Sequence, residues 1–493
     1  MKPGLSRRDF LGSFAAFGAV GALRGFAAPA GSFLGPGAKL TFGLLSDIHC
    51  STFKSEGDPL AGFGCETFIH ALEYFRDKGV DAVAIAGDLT NHGTDEQLMA
   101  VSRAWYQVFP NDEMPDGRKV AKIFHAGNHE WEGYKYGHFG KKRYLDPEEM
   151  KRHVFPFNQE AFWEKAFHEP FKKVYRKDVK GYTFICAHWP SQKKAAAKFL
   201  KAELPKLDPA KPFFYLQHPP PGGTLFGAWD GAAFDDIATE LAKYPNAVSC
   251  SGHTHQTITD ERAIWQGPFT AVESASLRYA GNRPGLENSG PKRNAEFRQM
   301  GLLGREQPPS RQGLLVTVYD DRIVFARREF VTDGALGPDW VVPLKADVRP
   351  YGYKVRADAE PAPAFAEGAK VSVSEEYEGK NRGGATCRQV KVTFPAALPS
   401  AKGRSRAYSY EVRVLQTLGD LVRFPCLARR VLSSGINRPE ALEPKEVELV
   451  LNAGEIQHEC KLEFEVTALG CFGRRSKPIL SEPTKLKGLV VKW

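Results

Sequence analysis

None of the eight cysteines (Cys50, Cys65, Cys186, Cys250, Cys387, Cys426, Cys460 and Cys471) stands in a Cys-x-x-Cys pair, which argues against a thiolate zinc site. No run of lysine and arginine is interleaved with aromatics, and the net charge of +9 is spread over 493 residues. No nucleic-acid polymer is therefore expected as a partner, and the charge supports only a weak attraction for anionic substrates. Beyond Leu23 no stretch approaches the roughly 18 apolar residues of a membrane span, so the mature protein is expected to have no stable one. A chain of this size does not need disulfides, and buried free thiols are expected for Cys50, Cys65, Cys186 and Cys250.

What is present is the composition of a soluble globular protein, with 42% hydrophobic and 25% charged residues. Its 493 residues exceed what one hydrophobic core usually supports, so two domains are expected. At the N-terminus Lys2, Arg7 and Arg8 precede the apolar run Phe10 to Leu23, and Ala28-Pro29-Ala30 supplies small residues for cleavage. This is the layout of an export signal, and Ser6-Arg7-Arg8-Asp9-Phe10-Leu11 resembles the bacterial twin-arginine signal. The resemblance implies export of the folded protein to the periplasm or beyond. The competing reading is an uncleaved membrane anchor.

Further on, apolar runs alternate with helical spacing. Leu40 to Leu45 reads as a buried strand that ends in Ser46-Asp47. Cys65 to Lys78 places Phe68, Leu72 and Phe75 on one helical face, with Gly79 as a stop. Asp81 to Ala86 is a second strand ending in Gly87-Asp88, and Thr94 with Gln97 forms a capping-box pattern for a helix over Asp95 to Val108. Ala121 to Phe124 runs into His125 to Glu130. The rhythm resumes with strands at Gly181 to Ala187, Pro212 to Leu216 and Ala247 to Ser251, and with helices at Lys193 to Leu204 and Phe234 to Lys243. It predicts an α/β layered sheet, in which functional groups gather at the carboxyl ends of strands. Between Glu130 and Gly181 an aromatic-rich insertion is expected either to wall a pocket or to form a surface subdomain.

At those strand ends stand Asp47, His49, Asp88, Asn128, His129, His218, His253 and His255. Singly, each is ordinary: Asp88 after Gly87 is a turn aspartate, Asn128 after Gly127 a left-handed turn residue, and His218 before three prolines a turn histidine. As a set they suit a pair of divalent cations about 3.5–4 Å apart, which need a bridging carboxylate. Imidazole favours Zn, Fe or Mn, and the carboxylates keep Mn or Mg in play. His92, His125 and His138 carry no such expectation, whereas His188, at a strand end before Trp189-Pro190, is a candidate substrate contact.

The order Asp-x-His, Gly-Asp, Gly-Asn-His-Glu, a lone His, then Gly-His-x-His resembles the calcineurin-like metallophosphoesterases across Leu40 to Leu344. The resemblance implies a layered α/β/β/α sandwich and a dinuclear centre. Asp47, His49 and His255 would hold one ion, Asn128, His218 and His253 the other, and Asp88 would bridge them. A hydroxide between the ions would attack phosphorus in line, with His129 giving a proton to the leaving oxygen. Purple acid phosphatases carry an iron-binding tyrosine three residues after the bridging aspartate, and Asn91 stands there instead. Gly87-Asp88-Leu89-Thr90-Asn91 looks more like the phosphodiesterases of cyclic nucleotides and glycerophosphodiesters.

Residues 347–368, rich in proline and alanine, read as a linker between a domain at 38–346 and another at 369–493, with 1–30 as the signal. The last segment alternates in short strands. Tyr410-Glu411-Val412-Arg413-Val414 and Phe464-Glu465-Val466-Thr467-Ala468 resemble a fibronectin type III sandwich that could bind protein or carbohydrate. The expected function is an exported phosphoesterase for small phosphate diesters or monoesters. The alternative is a catalytically vestigial envelope-binding or adhesion protein that acts through its C-terminal domain.

Overall fold

The computed structural model describes residues 36–486 apart from 52–64, 136–146, 192, 226–232, 283–301, 304–309, 346, 382, 400–405, 419–421, 434 and 457–459. The export signal and His138 lie outside the described residues.

The strands predicted from apolar runs form because each is sealed on both faces. β1 (Leu40–Leu45), β2 (Ala82–Ala86) and β3 (Ala121–His125) pair in parallel, and nearly every residue in them is buried. Gln312–Val318 joins β1 antiparallel, and Arg322–Glu329 follows it as a hairpin. A second sheet runs β4 (Val174–Val179), β5 (Tyr182–Ala187), β6 (Phe213–Leu216), β7 (Ala247–Ser251), then β9 (Thr270–Glu273) and β8 (Ile264–Gln266). From β5 to β9 this sheet is parallel.

The two sheets face each other through one apolar cluster. Phe42 of the first packs edge-on against Phe184 and Phe214 of the second, at centroid distances of 5.2 and 4.8 Å. Helices α1 (Glu66–Asp77) and α2 (Asp95–Val108) cover the outer face of the first sheet with Phe68, Phe75, Val101 and Trp105. Lys194–Glu203 and Asp236–Leu241 cover the second. The result is the α/β/β/α sandwich expected from the sequence.

Local details refine two expectations. Thr94 caps α2 by accepting from Gln97 N–H, but the Gln97 side chain accepts from His92 N–H, so only half of the capping box forms. The aromatic insertion is not a separate subdomain. Phe155, Phe162, Trp163 and Phe167 enter the core under α2, and Ser102 Oγ donates to Ala166 O.

Residues beyond Ala369 form two antiparallel sheets around a core of their own, including Val390, Val392, Val412, Phe464 and Val466. The stretch expected as a linker carries a helix, Tyr353–Ala359, docked on both sides. Arg356 pairs with Glu261, and Tyr353 packs on Phe472. Its prolines flank the helix rather than extend the chain. Of the four cysteines expected as buried thiols, Cys50, Cys186 and Cys250 are buried and Cys65 only partly so. No helix among the described residues is long and apolar enough to cross a membrane.

Phe42 is the ring on which the two sheets meet. Phe42→Ala is expected to cost about 3–5 kcal/mol of stability, read as a lower midpoint in chemical denaturation.

Candidate metal centre

The backbone brings the first two ligand turns together before any side chain is considered. Past the ends of β1 and β2, the chains continue side by side through Asp47 N–H to Gly87 O, His49 N–H to Asp88 O and Cys50 N–H to Leu89 O, each at 3.0 Å. Asp47, His49, Asp88, His253 and His255 all adopt left-handed backbone, with φ between 47° and 71°. Such geometry costs a non-glycine residue about 1–3 kcal/mol and persists only where the surroundings hold it. Gly252 is required by close approach, since a Cβ there would run into the Ser46 and Asp47 side chains.

Each carboxylate is pinned at one oxygen and offered at the other. Asp47 Oδ2 accepts from His253 N–H at 2.8 Å, leaving Oδ1 3.0 Å from His255 Nε2 and 3.5 Å from His49 Nε2. Asp88 Oδ1 accepts from His129 N–H at 2.8 Å, leaving Oδ2 3.0 Å from His218 Nε2 and 3.5 Å from His49 Nε2. The imidazoles are oriented by carbonyls, which only accept. His255 Nδ1 donates to Tyr279 O (3.1 Å) and His218 Nδ1 to Ala86 O (2.7 Å), so in the neutral rings both Nε2 atoms present lone pairs. His49 Nε2 lies 3.2 Å from His255 Nε2.

With both rings neutral, lone pairs thus face the buried oxygens Asp47 Oδ1 and Asp88 Oδ2. Such an array repels itself unless a proton or a metal cation stands within it, and the donor set fits a divalent ion. Asp47, His49 and His255 form one close group, Asp47, Asp88 and His218 another, and His49, Asp88 and His129 a third. Asn128 Oδ1 and His253 Nδ1 contact each other at 3.1 Å, and the His253 ring lies edge-on to His218, 4.9 Å away. The eight residues singled out at strand ends therefore stand in one place.

His188 stands elsewhere. Its Nδ1 accepts from Ala126 N–H at 2.9 Å, and its ring is enclosed by Trp163, Phe171 and Tyr175. It braces the backbone entering the Gly127 turn, and its 1% exposure gives it no open face for substrate. His125 is likewise wholly buried.

Two supports were not among the residues singled out from the sequence. Glu130 ties two ligand turns together, Oε1 accepting from Thr90 N–H and Oγ–H (2.6 and 2.8 Å) and Oε2 from Gly127 N–H (2.7 Å). Burial, with Asp88 adding to it, pushes the Glu130 carboxyl up to about 7. The segment Ser276–Tyr279 clasps the Asp47 turn. Ser276 Oγ–H donates to Asp47 O, and Arg278 Nη1 donates to His49 O. Tyr279 stacks on His255 at 4.3 Å and is 49% exposed. Glu130 belongs to the Gly-Asn-His-Glu turn, but no pattern distinguished Ser276–Tyr279.

The electrostatics follow from burial against pairing. Burial disfavours a charged His218, but Asp88 and Asp47 outweigh it and hold the imidazolium up to about 10. Burial wins at His49 and His253, pushing both down to about 4. Burial also pushes the Asp47 carboxyl up, yet His255 and His218 hold it well below its ordinary range.

The layered sheets have the metallophosphoesterase fold, with a possible metal-binding site at their strand ends. Residues 40–257 match the family model described as calcineurin-like phosphoesterase, so the chain carries a calcineurin-like phosphoesterase domain over those residues. No curated protein matches the chain. Among solved structures it is similar to a conserved, uncharacterised predicted phosphoesterase from Streptococcus pneumoniae TIGR4, with 14% identity, 62% of this chain and 98% of that one covered, and TM-score 0.25. A purple acid phosphatase from yellow lupin (Lupinus luteus) seeds is 15% identical over 62% of this chain and 53% of that one, with TM-score 0.36. Vps29 from Entamoeba histolytica, complexed with zinc, is 10% identical over 62% of this chain and 100% of that one, with TM-score 0.24. At these identities and scores the likenesses carry no argument about substrate.

The pH dependence of stability can be signed. The raised His218 contributes stability fully present below its ordinary 6.5 and lost as pH rises through about 10. The depressed His49 and His253 contribute stability present above 6.5 and lost as pH falls through about 4. The Tm of chelator-treated protein is therefore expected to fall on both sides of neutrality. A divalent cation must displace the His218 proton, so its stabilisation should grow with pH. A chelator-treated Tm that climbs steadily into the alkaline range would contradict this assignment of His218.

Proposed function

We propose that this protein is an exported, dinuclear-metal phosphoesterase that hydrolyses small phosphate diesters or monoesters. The observation that carries the reading is the pair of buried carboxylates, each pinned at one oxygen and facing imidazole nitrogens with the other. Asp88 Oδ2 lies within 3.5 Å of His49, assigned to one ion, and of His218, assigned to the other, as a bridging role requires. Asp47, His49 and His255 would hold the first ion, and Asn128, His218 and His253 the second, with Mn, Fe or Zn suited to this donor set. The chemistry that two such ions supply when bound is Lewis acidity, which makes water nucleophilic near neutral pH and offsets charge on the phosphoryl oxygens.

The chain's own residues supply the rest. His129 Nδ1 donates to Asn91 O at 2.7 Å, which fixes the ring and makes Nε2 the atom that exchanges a proton with the leaving oxygen. His129 packs edge-on to His49 at 4.3 Å, so that proton is held at the rim of the ligand set. Export rests on the N-terminal twin-arginine pattern. The C-terminal sheets are read as a fibronectin type III-like sandwich.

Metal-replete protein is expected to release p-nitrophenol from bis-p-nitrophenyl phosphate. Asp88→Ala should abolish turnover and reduce bound metal, whereas His129→Ala should keep the metal and lose about 10²–10⁴-fold in kcat. Metal-replete wild type that turns over neither diesters nor monoesters, and behaves like Asp88→Ala, would sink the proposal.

A further inference from the structure

The candidate metal centre and the C-terminal sheets meet on a single strip of chain, residues 276–282. Its inner side is bonded to the ligand turns. Leu277 and Arg278 N–H groups donate to Ser46 and Asp47 carbonyls, Tyr279 O accepts from His255 Nδ1, and Gly281 N–H donates to His255 O. Its outer side is bonded to the C-terminal region. Asn437 Nδ2 donates to Ala280 O at 3.2 Å, and Asn282 Nδ2 donates to Tyr408 O at 2.8 Å. Ala280 N–H donates to Ser310 O, and Ser310 Oγ–H donates in turn to Asn437 O at 2.6 Å.

A second tie reaches the ligand turn itself. Gln256, the residue after His255, donates from Nε2 to the Tyr408 hydroxyl at 2.9 Å and to Asp260 Oδ2 at 3.2 Å. Arg262 lies over the Tyr408 ring, 4.8 Å from its centroid, and pairs with Asp260 at 2.7 Å. Gln256, Tyr408 and Asn437 are all fully buried. Leu302–Leu303 adds a strand to the C-terminal sheet alongside Arg430 and Val431. A separable binding module joined by a spacer would not bury polar contacts of this kind against a ligand turn.

We propose that the C-terminal β region is a structural part of the metal centre, with Tyr408 and Asn437 as positioning residues for His255. Asn437 fixes the strip whose Tyr279 carbonyl orients the His255 ring, and Tyr408 fixes the turn that carries it. A ligating histidine keeps its direction through the partner of its other ring nitrogen, and loss of such support commonly weakens metal binding about 10–100-fold. The inference rests on the metal-centre reading above.

The test uses full-length protein loaded with cobalt(II) and titrated with a competing chelator. Tyr408→Phe, which removes only the hydroxyl, is expected to release cobalt at about 10-fold lower chelator concentration, with a changed visible absorption band. Tyr410→Phe is the control. It removes an equally buried hydroxyl on the same strand, one that accepts from Ala397 N–H inside the C-terminal region. It is expected to lower Tm without moving the chelator midpoint. Asn437→Ala reads the other contact and serves if Tyr408→Phe does not fold. The proposal is overturned if Tyr408→Phe and Asn437→Ala hold cobalt as tightly as wild type, or if Tyr410→Phe loses it equally. Wild-type protein that takes up no cobalt would overturn the metal-centre reading itself, and this inference with it.

Discussion

Two buried carboxylates that each spend one oxygen on a backbone N–H govern the architecture of this site. The His253 N–H holds Asp47, and the His129 N–H holds Asp88. Each donor belongs to a residue whose side chain is itself part of the site, so the turns position one another. With one oxygen fixed, the other has a single direction in which to point. Carbonyls on the opposite ring nitrogens aim His218 and His255 at the same place. Left-handed backbone at five of these residues adds local strain, which the mutual bonding holds in place.

The site is also a seam between sheets. Asp47, His49, Asp88, Asn128 and His129 follow strands of the first sheet, whereas His218, His253 and His255 follow strands of the second. The sheets that carry the two sets pack through the aromatic contact of Phe42 with Phe184 and Phe214. Sheet packing near 10 Å leaves room for inward side chains along the strands. At the strand ends the ligand side chains close that gap. On the His255 side of the seam, Gln256 and residues 276–282 are hydrogen-bonded to Tyr408 and Asn437 of the C-terminal region.

Much of this was legible in the chain. Apolar runs such as Leu40–Leu45 and Ala82–Ala86 specify strands sealed on both faces, because Thr41, itself buried, is the one polar residue in them. Helix α2 begins and ends where its cap and apolar face predicted. The residue types at successive strand ends were sufficient to nominate a metal centre, since open parallel sheets direct their carboxyl ends to one edge.

What the sequence could not carry was contact between segments with no shared pattern. Ser276–Tyr279 bonds to the Asp47 turn half through backbone N–H groups and half through the Ser276 and Arg278 side chains, which share no spacing with the turn they meet. Residues 347–368 look like a linker by composition, yet their helix docks because Arg356 finds Glu261 across the fold. His188 has the residue type and strand-end position of a substrate contact, and only the packing of Trp163, Phe171 and Tyr175 around it decides otherwise. Periodicity and turn chemistry are local and survive in a linear reading. The partner of a buried polar group is chosen across the whole fold, so only the tertiary structure decides it.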